Sequence, residues 1–149
     1  MPMNEQVQAQ QVRHVLLGSE ATGSYSWLDF NAEIRRGLPI EAVRRLADAV
    51  APGAPGVFEA LVVSKSTLKR HRQQRKPLNP EHSERLGQLA EVWAMAVDVY
   101  KDEETARLFL QRPHQLLHGR SPLEVAAESW AGARSVEQIL GRLKYGSVA

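Results

Sequence analysis

The sequence predicts an all-α fold, and three observations carry that expectation. Apolar residues recur three and four apart along most of the chain. Capping residues, several followed by a first-turn proline, punctuate it at short intervals. No five-residue run alternates convincingly between apolar and polar. About seven short helices are expected, with no strand and no internal repeat.

Residues 1–25 read as a flexible N-terminal arm. They are Gln-rich, then broken by Gly18-Ser19 and Gly23-Ser24, and only Val12, Val15, Leu16 and Leu17 interrupt the polarity. A short helix over residues 26–36 carries Trp27, Phe30 and Ile34, and Gly37 ends it. Pro39 opens a second helix with Ile40, Val43, Leu46, Ala47 and Val50 on one face. Arg35, Arg36, Arg44 and Arg45 gather near this junction. Pro52-Gly53-Ala54-Pro55-Gly56 is loop chemistry, and residues 57–62 suffice for one short helix. Val63 and Ser64 form a turn, after which Ser64 or Ser66 caps a helix to about residue 75. Asn79-Pro80 starts the longest helix, to about residue 100, along a stripe that includes Leu86, Leu89, Trp93 and Ala96. Asp102 caps a helix to residue 112. Ser121-Pro122-Leu123-Glu124 combines a cap, a first-turn proline and a reciprocal glutamate, and starts a helix ending near residue 129 or 130. Val136, Ile139, Leu140 and Leu143 define the last helix, which closes near Gly146, with Leu140, Leu143 and Tyr145 as its anchors.

Composition bounds the function. Apolar residues at 43% and charged residues at 24% are globular values, and aromatics at 6% leave the core to Leu, Val, Ile and Ala. No stretch reaches the roughly 18 apolar residues of a membrane span, and the polar N-terminus lacks a secretory apolar run. With no cysteine there is no disulfide, thiolate metal site or cysteine nucleophile. A cytoplasmic location is expected. The net charge of +2 hides a split: residues 1–76 hold 11 Lys/Arg against 7 Asp/Glu, and residues 77–149 hold 8 against 10. A basic half and a mildly acidic half suggest two tasks on one chain.

The strongest local signal spans residues 65–76, with six formal positive charges and no acid. On a helix, Leu68 sits inward with Ser64, His71 and Arg75, while Ser66, Lys69, Arg70 and Gln73 face outward. A short helix, a tight turn and a capped basic helix are the parts of a helix–turn–helix, whose second helix enters the major groove. Lys65, Ser66, Lys69, Arg70, Arg72 and Gln73 are the candidate DNA contacts; the plainer reading is a solvated basic face. The turn lacks the glycine that such turns often use. His114 and His118 have metal-ligand spacing, but Pro113 and Gly119 mark a loop without an obvious third ligand. No metal or cofactor is expected. Neither GxSxG, HExxH nor a phosphate-binding glycine loop occurs, so no catalytic residue and no enzyme is expected. The tail from Tyr145 to Ala149 reads equally as a frayed end or a docking segment.

One resemblance covers about residues 61–146. It is carried by Ser64-Lys65-Ser66-Thr67-Leu68-Lys69-Arg70, by the run from Leu78 to Leu86, by Phe109-Leu110, and by Leu117-His118-Gly119-Arg120-Ser121-Pro122-Leu123. Gly132-Ala133, Val136-Glu137, Leu140 and Lys144-Tyr145-Gly146 complete it. In order and spacing these residues resemble the Xre/MbcA/ParS-type antitoxins. Phe109 stands where the family often has Trp, and Lys101 where it often has Gly; both departures are expected to bear on packing alone.

The resemblance implies an antitoxin of a type II toxin–antitoxin pair, whose toxin is a RES-domain enzyme that depletes NAD. It implies a helix–turn–helix region over residues 26–77 and a helical toxin-binding domain over residues 78–149. The expected partners are that toxin, operator DNA for autorepression, and a second copy of the chain, within a higher-order complex. The alternative is a free-standing transcriptional regulator whose C-terminal domain serves dimerisation. For toxin contact the candidates are Arg142, Lys144, Tyr145, Gly146, Ser147, Val148 and Ala149 in the tail, with the Arg120 loop as the competing plug. Arg120 has an alternative structural role in tying helices together.

Overall fold

The computed structural model describes residues 5–18 and 23–146. The helices are α1 (Glu5–Leu17), α2 (Trp27–Arg36), α3 (Glu41–Val50), α4 (Pro55–Val62), α5 (Lys65–Gln74), α6 (Pro80–Tyr100), α7 (Glu103–Gln111), α8 (Pro122–Glu128) and α9 (Trp130–Lys144), with a 3₁₀ turn at Gln115–Leu117. Among the described residues there is no strand, only an isolated bridge between His114 and Arg120. The all-α class is therefore correct. No helix among these residues is long and apolar enough to cross a membrane.

Local hydrogen bonds set the helix starts. Ser26 and Asp29 form a reciprocal capping box on α2. Ser64 Oγ accepts from Thr67 N on α5, Asn79 Oδ1 from His82 N on α6, and Asp102 from Thr105 N on α7. Ser121 caps α8 through Glu124 N, whereas the Glu124 carboxylate, expected to reach back reciprocally, lies 4.0 Å from Arg120 Nε.

The chain forms two compact units that part between Ala90 and Glu91, inside α6. This division falls later in the chain than the 77/78 expected from the sequence, and packing accounts for it. The first half of α6 closes the first core: Leu86, Leu89 and Ala90 are buried, and a Cβ on Gly87 would meet the Phe30 ring at 2.9 Å. That core also holds Leu16, Leu38, Leu46, Phe58 and Leu78.

The expected arm is largely a helix of this first unit. α1 packs on α2 and α3, with Ala9, Val12 and Leu16 fully buried. Each of the two larger side chains contributes about 1.5–3 kcal/mol by burial. Gln10 donates to the Gly23 carbonyl, Arg13 stands 3.6 Å from Glu33, and Tyr25 donates to Glu33 at 2.5 Å, so α1 and its connection are tied to α2. The remainder of the arm, residues 1–4 and 19–22, lies outside the described residues.

In the second unit α8 packs on α7 and α9, and the core holds Trp93, Ala96, Leu110, Leu123, Val136 and Leu140. The last helix begins earlier than its apolar stripe suggests. Ser129 accepts from Gly132 N and starts it at Trp130. Gly132 packs so close to α8 that a Cβ would lie 2.0 Å from the Val125 carbonyl oxygen. Leu140 anchors α9 as expected; Leu143 and Tyr145 do not, being 50% and 61% exposed, because they fall on its outer side.

Candidate functional site

The basic segment folds as the second helix of a tight helical pair. Pro55 takes the first-turn position of α4, and Phe58 and Val62 bury its inner face. Val63 then turns the chain at φ −153°, ψ 145°, and Ser64 at φ −60°, ψ 148°. Both are extended conformations open to any residue, which is why this turn needs no glycine. Ser64 also donates to Thr67 Oγ1 at 2.8 Å, and Arg85 of α6 donates to the Val62 carbonyl at 3.0 Å, bracing the turn from behind.

Leu68 is the buried residue of α5. Lys65, Ser66, Lys69, Arg70 and Gln73 are exposed, in line with the outward face expected of them. Ser64 and Arg75, assigned to the inner face, are instead exposed at the two helix ends, Arg75 in a left-handed cap at φ 54°. His71 is half-buried, with Nδ1 3.0 Å from the Pro77 carbonyl.

Arg72, also expected to contact DNA, is already engaged. Its guanidinium donates to Glu59 Oε2 at 2.7 Å, and the Glu59 side chain is almost wholly buried in α4. Arg72 therefore holds α5 against α4. Lys65, Lys69 and Arg70 have no carboxylate in ion-pair range among the described residues. A groove of about 470 Å³ between α4 and α5 is lined by Lys65, Lys69, Arg72 and Gln73 over an apolar floor. The arrangement presents positive charge on a rigid helix, which suits a polyanion.

In the second unit the candidate residues have distinct surroundings. Arg120 pairs with Glu124 and Glu128, tying its loop to α8. His114 Nδ1 accepts from Leu116 N at 3.1 Å and caps the 3₁₀ turn. Arg142 is exposed with no carboxylate partner among the described residues. Lys144 pairs with Asp98, which also accepts from Lys101 at 2.9 Å. Partial burial pushes the Asp98 carboxyl up, but hydrogen bonds from Lys144 and Lys101 outweigh it and hold the pKa below its ordinary value. Tyr145 is exposed, with its ring centroid 6.0 Å from Lys144 Nζ, and Gly146 takes φ 58°. Ser147, Val148 and Ala149 lie outside the described residues.

Two features escape a sequence reading. Trp130 is 65% exposed at the start of α9, with Arg134 stacked on its ring at 5.3 Å; its place directly after the Ser129 cap was the available signal. Glu91 and Glu137, 46 positions apart, bring their carboxyls together between α6 and α9. Burial, then the charge and hydrogen bond of Glu137, raises the Glu91 pKa to about 7, against a weaker opposing pull from Arg134.

Comparison with known families accounts for both halves. No curated protein matches the chain. Residues 29–91 match the antitoxin Xre-like helix-turn-helix domain, which contains α4, α5 and the bracing Arg85. Residues 95–146 match the antitoxin Xre/MbcA/ParS C-terminal toxin-binding domain, which contains the Arg120 loop and the end of α9. With both domains present in this order, the chain belongs to the Xre/MbcA/ParS antitoxin family: an antitoxin of a toxin–antitoxin system, with a DNA-binding helix–turn–helix followed by a toxin-binding domain.

Proposed function

We propose that this antitoxin neutralises a NAD-degrading RES-domain toxin by covering its active site, and that it represses its own operon as a dimer on operator DNA. The observation that carries the DNA half is the sorting of charge on α5. Arg72 is bound to Glu59, while Lys65, Lys69 and Arg70 stay unpaired and outward, with Ser66 and Gln73 among them. Lysine and arginine on such a helix meet phosphates or base edges. Dimerisation is inferred from the two-fold symmetry of operators that such helices read.

The toxin half rests on the family resemblance and on the end of α9. Lys144 is fixed by Asp98, so the chain leaves the domain from a defined point, followed by exposed Tyr145 and Gly146. A plug for a concave pocket needs an exposed segment of this kind. Arg142, Tyr145, Gly146 and residues 147–149 are the proposed contacts. Arg120, occupied by two glutamates, is the less suited plug. Lys144 serves by holding the tail's root.

The test is co-expression with the product of the adjacent gene, pull-down, and a NAD-consumption assay on the complex. Co-purification of a NAD-consuming enzyme silenced by the antitoxin supports the proposal. A chain that binds its own promoter but captures no toxin favours the free-standing regulator.

A further inference from the structure

Resting on the DNA-binding reading of α5, we propose that Arg35, Arg36, Arg75 and Lys76 form a second basic clamp that grips the phosphate backbone of the same duplex. The cluster is built at a chain crossing. The end of α2 meets the segment that follows α5, so Arg36 directly precedes Gly37 and Lys76 directly precedes Pro77 at the point of closest approach. A Cβ on Gly37 would lie 2.3 Å from the Leu78 carbonyl oxygen and 3.2 Å from Pro77 Cβ. Leu78 N donates to the Leu38 carbonyl at 2.9 Å, and Leu38 N donates to the fully buried Ser83 Oγ at 2.9 Å.

The crossing is rigid on the α5 side as well. Arg75 adopts the left-handed conformation at φ 54°, which folds the chain back so that Lys76 N donates to the His71 carbonyl at 3.0 Å. His71 Nδ1 then meets the Pro77 carbonyl at 3.0 Å. Four exposed cations are thus carried on one fixed piece of backbone.

They share with Lys65, Lys69 and Arg70 of the same unit a lack of counter-charge. In the second unit the cations are matched to carboxylates, Arg112 and Arg142 excepted. Arg35, Arg36, Arg75 and Lys76 have no carboxylate in ion-pair range among the described residues. Holding like charges together without acids costs free energy, and a phosphate row offsets that cost by releasing counterions. The placement also suits the duplex. A ten-residue helix is about 15 Å long and the major groove about 12 Å wide, so when the start of α5 sits in the groove its far end reaches the backbone. The clamp positions the protein and reads no base.

The experiment measures binding across a salt series to two duplexes, one from the region upstream of the protein's own coding sequence and one scrambled. The Arg36→Gln/Lys76→Gln variant is expected to lower the magnitude of the salt slope by about two on both duplexes, because each phosphate contact contributes about 0.9. Discrimination between the duplexes is expected to stay at the wild-type level, as is the melting temperature. An unchanged slope overturns the proposal, as does a lowered melting temperature with an unchanged slope, which would make these cations mere closers of helix dipoles. Lost discrimination with an unchanged slope overturns it too. If the double variant does not fold, Lys76→Gln alone is expected to lower the slope by about one. The Lys65/Lys69/Arg70 triple alanine variant, run alongside, is the control on the parent reading: if its binding is unchanged, α5 is not the DNA helix, whatever the clamp variant does.

Discussion

Arg72 of α5 donates to Glu59 of α4 across 2.7 Å, and this one pair separates the helix's holding side from its presenting side. Glu59 is buried, so its carboxylate needs the guanidinium, and the guanidinium is withdrawn from phosphates. Arg72→Met is therefore expected to weaken DNA binding through the placement of α5, with the salt slope unchanged. It is expected to cost about 1.5–3 kcal/mol of stability, the usual worth of a hydrogen bond to a charged group. Thermal melts paired with an anisotropy salt series check both parts. A slope that falls by about one would return Arg72 to the phosphate contacts.

The presenting side gives a separation of tasks. The Lys65/Lys69/Arg70 triple alanine variant is expected to lose operator binding, with about 1–3 kcal/mol for each base contact removed and about one unit of salt slope for each phosphate contact. The same variant is expected to neutralise the toxin at the wild-type level, since the toxin-binding domain matches residues 95–146 alone. Growth rescue in cells expressing the toxin is the readout. Failure of a folded variant to rescue would place the toxin contact in the first unit.

Lys101 stands at φ 57°, directly after α6. The departure from a family glycine thus bears on backbone conformation, and packing is the wrong frame for it. A lysine in the left-handed region costs about 1–2 kcal/mol that glycine avoids. The exposed pair of Lys101 with Asp98 returns about 0.2–1 kcal/mol. Lys101→Gly is expected to raise the melting temperature slightly, and a drop of several degrees would show that the Asp98 pair outweighs the strain.

The Glu91–Glu137 contact predicts a pH dependence. The folded Glu91 pKa, about 7, lies above its ordinary value of 4.5, so the fold binds more protons than the unfolded chain between those values. Stability from this site is fully present below about pH 4.5, declines as pH rises, and levels off above about pH 7. Glu91→Gln is expected to flatten that decline and to melt higher than wild type at pH 8. Denaturant titrations across the range check it; identical profiles for the two proteins would contradict it.

What the sequence discloses and what it hides divide by range. Ser64, Asn79, Asp102 and Ser121 are legible because a cap bonds to an amide two or three residues away, and the residues that make it are adjacent in the chain. Leu68 and the outward set on α5 follow from the helical period. α1 is hidden because its stripe of Ala9, Val12 and Leu16 is narrow, includes an alanine and lies among glutamines. Arg72 with Glu59, Lys144 with Asp98 and Glu91 with Glu137 are hidden because each joins separate helices, and no local pattern encodes which cation a fold leaves free. The place where the two compact units part is hidden for the same reason: α6 is one uninterrupted apolar stripe, and its first half belongs to a core made of distant residues such as Phe30.

Closure of the toxin's active site by the tail beyond α9, as proposed, is read from NAD consumption by the purified complex. The antitoxin is compared intact and lacking residues 146–149, each at a concentration that saturates the toxin. Silence is expected with the intact protein, and with the truncated one a return of NAD loss larger than its weakened binding explains. A truncated antitoxin that binds and still silences the toxin fully would rule out the tail as the plug, and Arg120→Ala in the same assay would then show whether the loop is the plug.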